Sequence, residues 1–94
     1  MAERALVSIV RRVPEQIERE YRLAWAELRA AAQQAGAKAW RFHSARDGSH
    51  FIEFLEYPAE ADPRASPAVA AALDRLEQLV PGTLEEWHPA SDKP

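Results

Sequence analysis

The hydrophobic positions of this chain alternate between two periods, and the changes of period mark out its elements. Residues 5–13, Ala-Leu-Val-Ser-Ile-Val-Arg-Arg-Val, are short and β-branched, which predicts a strand. Pro14 opens a helix, a position where its missing N–H costs nothing. From Glu15 to Ala35 the apolar residues Ile17, Tyr21, Ala24, Trp25, Leu28, Ala31, Ala32 and Ala35 form one stripe at helical spacing. Glu15 with Arg19, and Glu18 with Arg22, have i,i+4 spacing for ion pairs on the solvated side. Leu23 falls off the stripe, either exposed or part of a second contact. Gly36 is the expected helix stop.

Two strands follow, over 38–45 and 50–57, around Asp47-Gly48. That dipeptide suits a two-residue hairpin turn, because Asp and Gly tolerate the positive φ such turns demand. With these two as the loop, Phe42 lies opposite Glu53, and Trp40 opposite Leu55. One face then carries Trp40, Phe42, Phe51, Glu53, Leu55 and Tyr57. The other carries Ala39, Arg41, His43, His50, Ile52, Phe54 and Glu56. Neither is plainly polar, so something must cover each. Residues 58–66 form a Pro/Ala/Asp connection, and Ser66-Pro67 starts a second helix with Ser as N-cap. Val69, Ala72, Leu73, Leu76 and Val80 are its apolar stripe, Pro81-Gly82 ends it, and 83–88 reads as the last strand. The tail, 89–94, is expected to be flexible.

The order is β-α-β-β-α-β. Short connections and right-handed crossovers turn it into an α+β, ferredoxin-like fold, a four-stranded antiparallel sheet of order 4-1-3-2 with both helices on one face. Glu53 weighs on the choice of face, since an unpaired carboxylate between sheet and helices would cost several kcal/mol or be protonated. The expectation is that Trp40, Phe42, Phe51, Glu53, Leu55 and Tyr57 line the open face, with Ala37, Ala39, Ile52 and Phe54 under the helices. The reverse stays open, because Arg41 and His43 are poor core residues too, and a one-residue change of hairpin register exchanges the faces of one strand relative to the other. An open face this aromatic is too large an apolar patch for a monomer. A twofold homodimer packed sheet on sheet would cover it.

Composition narrows the partners. Ninety-four residues make a single domain, 1–94, near the size where stability is modest. A net charge of −3 gives no electrostatic reason to expect nucleic acid or an anionic membrane. Without cysteine there is no disulfide framework, thiol nucleophile or thiolate metal site. The N-terminal apolar run is too short for a signal-peptide core or membrane span, so a cytoplasmic address is the default. Ten of the twelve basic residues are Arg and Ala is abundant, which reads as GC-rich, bacterial codon usage.

In element order and lengths, residues 4–88 resemble the dimeric α/β-barrel superfamily, the group of antibiotic-biosynthesis-monooxygenase-like and stress-responsive barrel proteins. Many members end the third strand in an acidic residue followed two positions later by a large one; Glu53-Phe54-Leu55 or Glu56-Tyr57 stands in that place here. The resemblance implies the ferredoxin-like fold and homodimerisation. Cofactor-free quinone-forming and haem-degrading members use an Asn, with a Trp and sometimes a His, and this chain has no Asn. Other ferredoxin-like signatures are missing: the Gly-rich anion loop of acylphosphatases, the Cys-x-x-Cys of metal chaperones, and the aromatic signature of RNA-recognition strands.

The candidate chemistry is correspondingly small. Glu53 is the leading candidate for a general base, because apolar neighbours raise a carboxyl pKa towards a useful range. The competing account makes it an interface carboxylate paired with Arg11, Arg12 or Arg41. His43 is a second candidate base. Trp40, Phe42, Phe51, Leu55, Tyr57 and Trp87 are candidates to bind a flat organic molecule between sheet faces, or simply to pack a dimer. His43 and His50 flank the turn on one predicted face, but His88 lies at the far end, and nothing in the spacing favours a metal. Tyr21 and Trp25 read as core, and the helix charges as solvated faces. The leading reading is a homodimeric barrel protein that binds a small apolar or aromatic molecule, without a cofactor. The alternative is a cofactor-independent monooxygenase or isomerase using Glu53 or a His as base. An amino-acid-sensing regulatory domain would need a Gly-rich turn at a helix–strand junction, and none is present.

Overall fold

The computed structural model describes residues 3–91. Its elements follow the expected order: β1 (Arg4–Arg12), α1 (Glu18–Gln34), β2 (Lys38–His43), β3 (His50–Pro58), α2 (Pro67–Leu79) and β4 (Gly82–Trp87), with short 3-10 turns at Glu15–Ile17 and Pro63–Ala65. The sheet order is β2-β3-β1-β4, which is 4-1-3-2 read from the other edge, and every pairing is antiparallel. The ferredoxin-like fold is therefore as expected. Only part of the tail, 89–91, falls within the described residues.

Local chemistry sets the element ends. Pro14 begins with a 3-10 turn, Ile17 N–H donating to its carbonyl at 3.0 Å, and α1 proper starts at Glu18. At the other end Gly36 sits at φ +86°, Ala37 N–H reaches back to the Ala32 carbonyl (2.9 Å) and Gly36 N–H to that of Gln33 (3.1 Å). This is a Schellman stop, which needs a residue that tolerates the left-handed region. Ser66 precedes α2 as N-cap, but its side chain makes no capping bond. Asp62 caps the 3-10 turn before it, accepting from Arg64 N–H at 2.9 Å. The two proposed ion pairs on α1 do not form within 4 Å among the described residues.

Tyr21, Ala24, Trp25, Leu28 and Ala32 from α1, and Val69, Ala72 and Leu76 from α2, are buried against the sheet, the stripes the helical spacing marks. Leu23 is 59 % exposed, so it is surface. Both helices cover one sheet face, and the Cα envelope is only 16 Å in its thinnest dimension, the depth of two layers.

The hairpin departs from expectation. The loop is wider than Asp47-Gly48: Ser44 N–H bonds the His50 carbonyl at 2.8 Å, leaving Ala45 to Ser49 between them. Polar side chains hold this form. Ser44 Oγ accepts the N–H groups of Arg46 (3.1 Å) and Asp47 (3.3 Å), and Asp47 Oδ1 accepts Ser49 N–H and O–H. Arg12 ties Asp47 Oδ2 at 2.8 Å. Gly48 does not use positive φ. The register shifts by one, pairing Arg41 with Glu53, Phe42 with Ile52 and Trp40 with Phe54.

This turns one strand over. β2 faces as expected, with Trp40 and Phe42 on the open side and Ala39 under the helices. β3 is reversed: Phe51, Glu53, Leu55 and Tyr57 are buried towards the helices, and Ile52 and Phe54 look out. The open face therefore carries Leu6, Val10, Trp40, Phe42, Ile52, Phe54 and Trp87. His43 and His50 end on opposite faces, since His43 pairs with Phe51 and His50 lies opposite Arg12.

Candidate functional site

Charge converges in the layer between α1 and the sheet. Glu53 on β3 is 1 % exposed, yet two donors hold one of its oxygens: Arg11 Nε of β1 at 2.9 Å and the Tyr21 hydroxyl of α1 at 2.7 Å, both to Oε2. Arg11 is as buried, and its Nη1 also donates to the Val80 carbonyl (2.6 Å) and to Glu77 Oε2 (3.1 Å). Glu77 in turn accepts the Gly82 N–H. One carboxylate so ties two strands and a helix together. Its other oxygen, Oε1, has no hydrogen-bond partner among the described residues.

Burial pushes the Glu53 carboxyl above its ordinary range, against the pull of the Arg11 charge and the Tyr21 hydrogen bond. Burial, with Glu53 beside it, pushes the Tyr21 hydroxyl up as well. The pair is therefore reluctant to carry negative charge, and Tyr21 stays a donor. Arg11 is one of the three arginines that the sequence offered for an interface pair, with Arg12 and Arg41, but here it comes from the same chain.

Arg41, the cross-strand neighbour of Glu53, lies over three rings: its guanidinium carbon is 5.2 Å from the centroid of Tyr21, 5.9 Å from Trp25 and 5.1 Å from Phe51. Stacking of this kind suits a guanidinium, which is weakly hydrated and planar. Arg41 borders hollows on both flanks. One, about 510 Å³, opens along the α1–β2 edge between Trp25 and Trp40, with Arg22, Arg29 and Gln33 at its rim. The other, about 350 Å³, is lined by Arg41, Phe42, His43 and Phe51. β2 is the edge strand, so the first cleft reaches Trp40 although that ring belongs to the opposite face, where it stacks on Phe54 at 5.4 Å.

The residues that the sequence grouped are thus divided. Trp40, Phe42 and Trp87 share the open face; Trp87 Nε1 donates to Ser8 Oγ there at 2.8 Å. Phe51, Leu55 and Tyr57 belong to the core, with Phe51 tilted against Tyr21 at 5.0 Å. Tyr57 lies at the far end of β3, where its hydroxyl approaches Arg64 (3.5 Å), itself held by Asp62 and Glu86. His43 is exposed, its Nδ1 3.2 Å from the Ser44 carbonyl oxygen, and borders the smaller hollow. Among the described residues no three His, Asp or Glu side chains are grouped to hold a metal ion, and no helix is long and apolar enough to cross a membrane.

Sequence reasoning missed the cleft. It placed Trp25 in the core and the α1 charges on a solvated face, where they do lie, without seeing that they border a hollow beside β2. The available signal was that Arg22, Trp25, Arg29 and Gln33 recur at helical spacing, a polar and aromatic mixed stripe beside the core one.

No family model matches the chain, and no curated protein does. Solved structures do. A conserved Bacteroides thetaiotaomicron protein of unknown function, a possible oxidoreductase, superposes with a TM-score of 0.79 at 19 % identity, covering 94 % of this chain and 99 % of that one. A protein from Nitrosomonas europaea assigned as an antibiotic biosynthesis monooxygenase gives 0.76 at 10 % identity, over 100 % of this chain and 97 % of that one. SnoaB of Streptomyces nogalater, a cofactor-independent oxygenase, gives 0.74 at 11 % identity, over 100 % and 99 %. At these identities the likeness is one of fold.

Proposed function

We propose that this chain, which has the fold of the antibiotic-biosynthesis-monooxygenase-like proteins, binds a small planar molecule in the cleft between α1 and β2 and pairs with a second copy through its open sheet face. The cleft carries the binding half of this reading. Its volume of about 510 Å³ is in the range of small-molecule sites, and it offers the rim of the half-buried Trp40 beside a few polar groups. This moves the ligand from between sheet faces to the helix side. The pairing half rests on Phe42 and Trp87, 61 % and 48 % exposed, within an apolar stripe across all four strands. An isologous sheet-on-sheet contact would cover that stripe on both copies at once.

Titration with a planar aromatic probe such as naphthalene methanol, followed by calorimetry, tests the cleft. Ala26 lines it and is exposed, so Ala26→Trp fills it without disturbing the core. The parent should bind, and the filled variant should lose about tenfold or more in affinity, 1.4 kcal/mol. Equal affinity in both would sink the assignment.

One observation favours a second reading, proton transfer with Glu53 as base: the unpartnered Oε1 beside Arg41. A carboxyl with a raised pKa is suited to take a proton from an activated carbon acid. In an isomerase that proton returns to a neighbouring carbon. In a cofactor-independent oxygenase dioxygen is the oxidant: a methylene becomes a carbonyl, and the second oxygen leaves as water. Glu53 is sealed in this structure, so either reaction requires Arg41 to leave its rings. Should a substrate be turned over, Glu53→Gln and Tyr21→Phe must both slow it; parent rates in Glu53→Gln would end this reading.

A further inference from the structure

Of the arginines in this chain, Arg4, Arg11, Arg12, Arg64 and Arg75 each hold a carboxylate within 4 Å. Arg19, Arg22, Arg29, Arg41 and Arg46 hold none among the described residues, and three of these five, Arg22, Arg29 and Arg41, border the α1–β2 cleft. Arg22 and Arg29 stand seven residues apart on α1, two turns along the same side of the helix. Arg41 enters from β2. No acidic side chain lines the cleft. In a chain whose net charge is −3, two guanidinium groups without a carboxylate, Arg22 and Arg29, beside Arg41 on the strand, are a local reversal of sign. Such an arrangement repels itself and is relieved by an anion.

Resting on the binding reading above, we infer that the ligand of this cleft is an aromatic acid, a flat ring bearing a carboxylate. The ring lies along the α1–β2 edge against the rim of Trp40, and the carboxylate meets the guanidinium forks of Arg22 and Arg29. Those forks match a carboxylate in geometry, with two parallel N–H donors to two oxygens. Gln33 adds an amide at the same rim. The anion stays at the rim because Arg22 and Arg29 stand on exposed helix positions there. A polyanionic backbone is a poorer fit, since nucleic acid needs a basic track along a surface and these charges surround a single hollow.

Three probes of one shape separate the contributions: 2-naphthoate, its methyl ester and 2-naphthylmethylammonium, titrated calorimetrically against the full chain. The acid should bind about tenfold tighter than the ester, with the ammonium weakest, and added salt should narrow the gap. Arg22→Gln and Arg29→Gln, both on exposed helix positions, should each weaken the acid by about threefold to tenfold and leave the ester unchanged. Equal affinity for acid and ester overturns the anion assignment while leaving the cleft as a binding site. Binding of the acid undiminished in both Arg variants overturns it too. If neither acid nor ester binds at about 1 mM, the cleft reading falls, and this inference falls with it.

Discussion

At the scale of single residues, the unusual choice is a carboxylate in the core. Glu53 would be intolerable there alone. Arg11 makes it tolerable by sharing its charge, and Tyr21 by donating to the same oxygen. Removing one partner is then costly, whereas removing both is not. Arg11→Met should destabilise the fold by about 3 kcal/mol, and Arg11→Met with Glu53→Leu should recover most of the loss. Urea midpoints of the two variants check this; a double variant as weak as the single one would mean the pair is worth its own desolvation. The same carboxyl predicts a pH trend. Held above its ordinary value of 4.5, Glu53 keeps its proton better folded than unfolded. Its contribution is whole below 4.5 and drains away as pH rises through the folded value. Asp62 works in the opposite sense, since Arg64 holds it low and its contribution is lost only as pH falls. As pH rises above 4.5 the parent should therefore lose stability relative to Glu53→Gln. A parent that gains on the variant over that range would show that the Arg11 charge outweighs burial.

At the scale of elements, glycines and the hairpin loop fix the geometry. Gly82 opens β4 where a Cβ would come within 2.8 Å of Ile9 Cγ2 and 2.9 Å of the Val10 carbonyl oxygen. One of those atoms is backbone, so Gly82→Ala should cost about 1–3 kcal/mol. Gly36 has open space but φ +86°, so Gly36→Ala should cost about 1 kcal/mol. Gly48 has neither constraint, and Gly48→Ala should stay within about 0.5 kcal/mol. Thermal melts of the three order them; a Gly48→Ala loss equal to that of Gly36→Ala would restore the tight turn that the Asp47-Gly48 pair suggests. That pair misleads because Ser44 and Asp47 bind backbone N–H groups locally and favour a wider loop. An odd shift of register follows, and with it a strand turned over.

At the scale of the whole molecule, a two-layer fold leaves one sheet face without a partner layer. Trp40, Phe42 and Phe54 cluster there, with centroids 5.4 and 6.2 Å from Phe54. Under the proposed pairing, light scattering should find a dimer at micromolar concentration. Phe42→Glu, an exposed position with no role in the core, should convert it to a monomer with little loss of helical circular dichroism. A monomeric parent would remove the barrel arrangement.

By itself the sequence determined the element order, both helix stripes and the sheet topology, because hydrophobic period and the punctuation by Pro and Gly act locally along the chain. It also marked Glu53 as the residue to watch. Only the tertiary structure decided which face of β3 meets the helices, since a strand apolar on both sides gives no preference of its own. A burial argument for Glu53 then pointed the wrong way: the cost of hiding it depends on Arg11, 42 residues earlier, and on Tyr21 from another element. The cleft was equally out of reach. Arg22 and Arg29 look like ordinary surface charges until folding sets β2, with Arg41, beside α1 along one hollow.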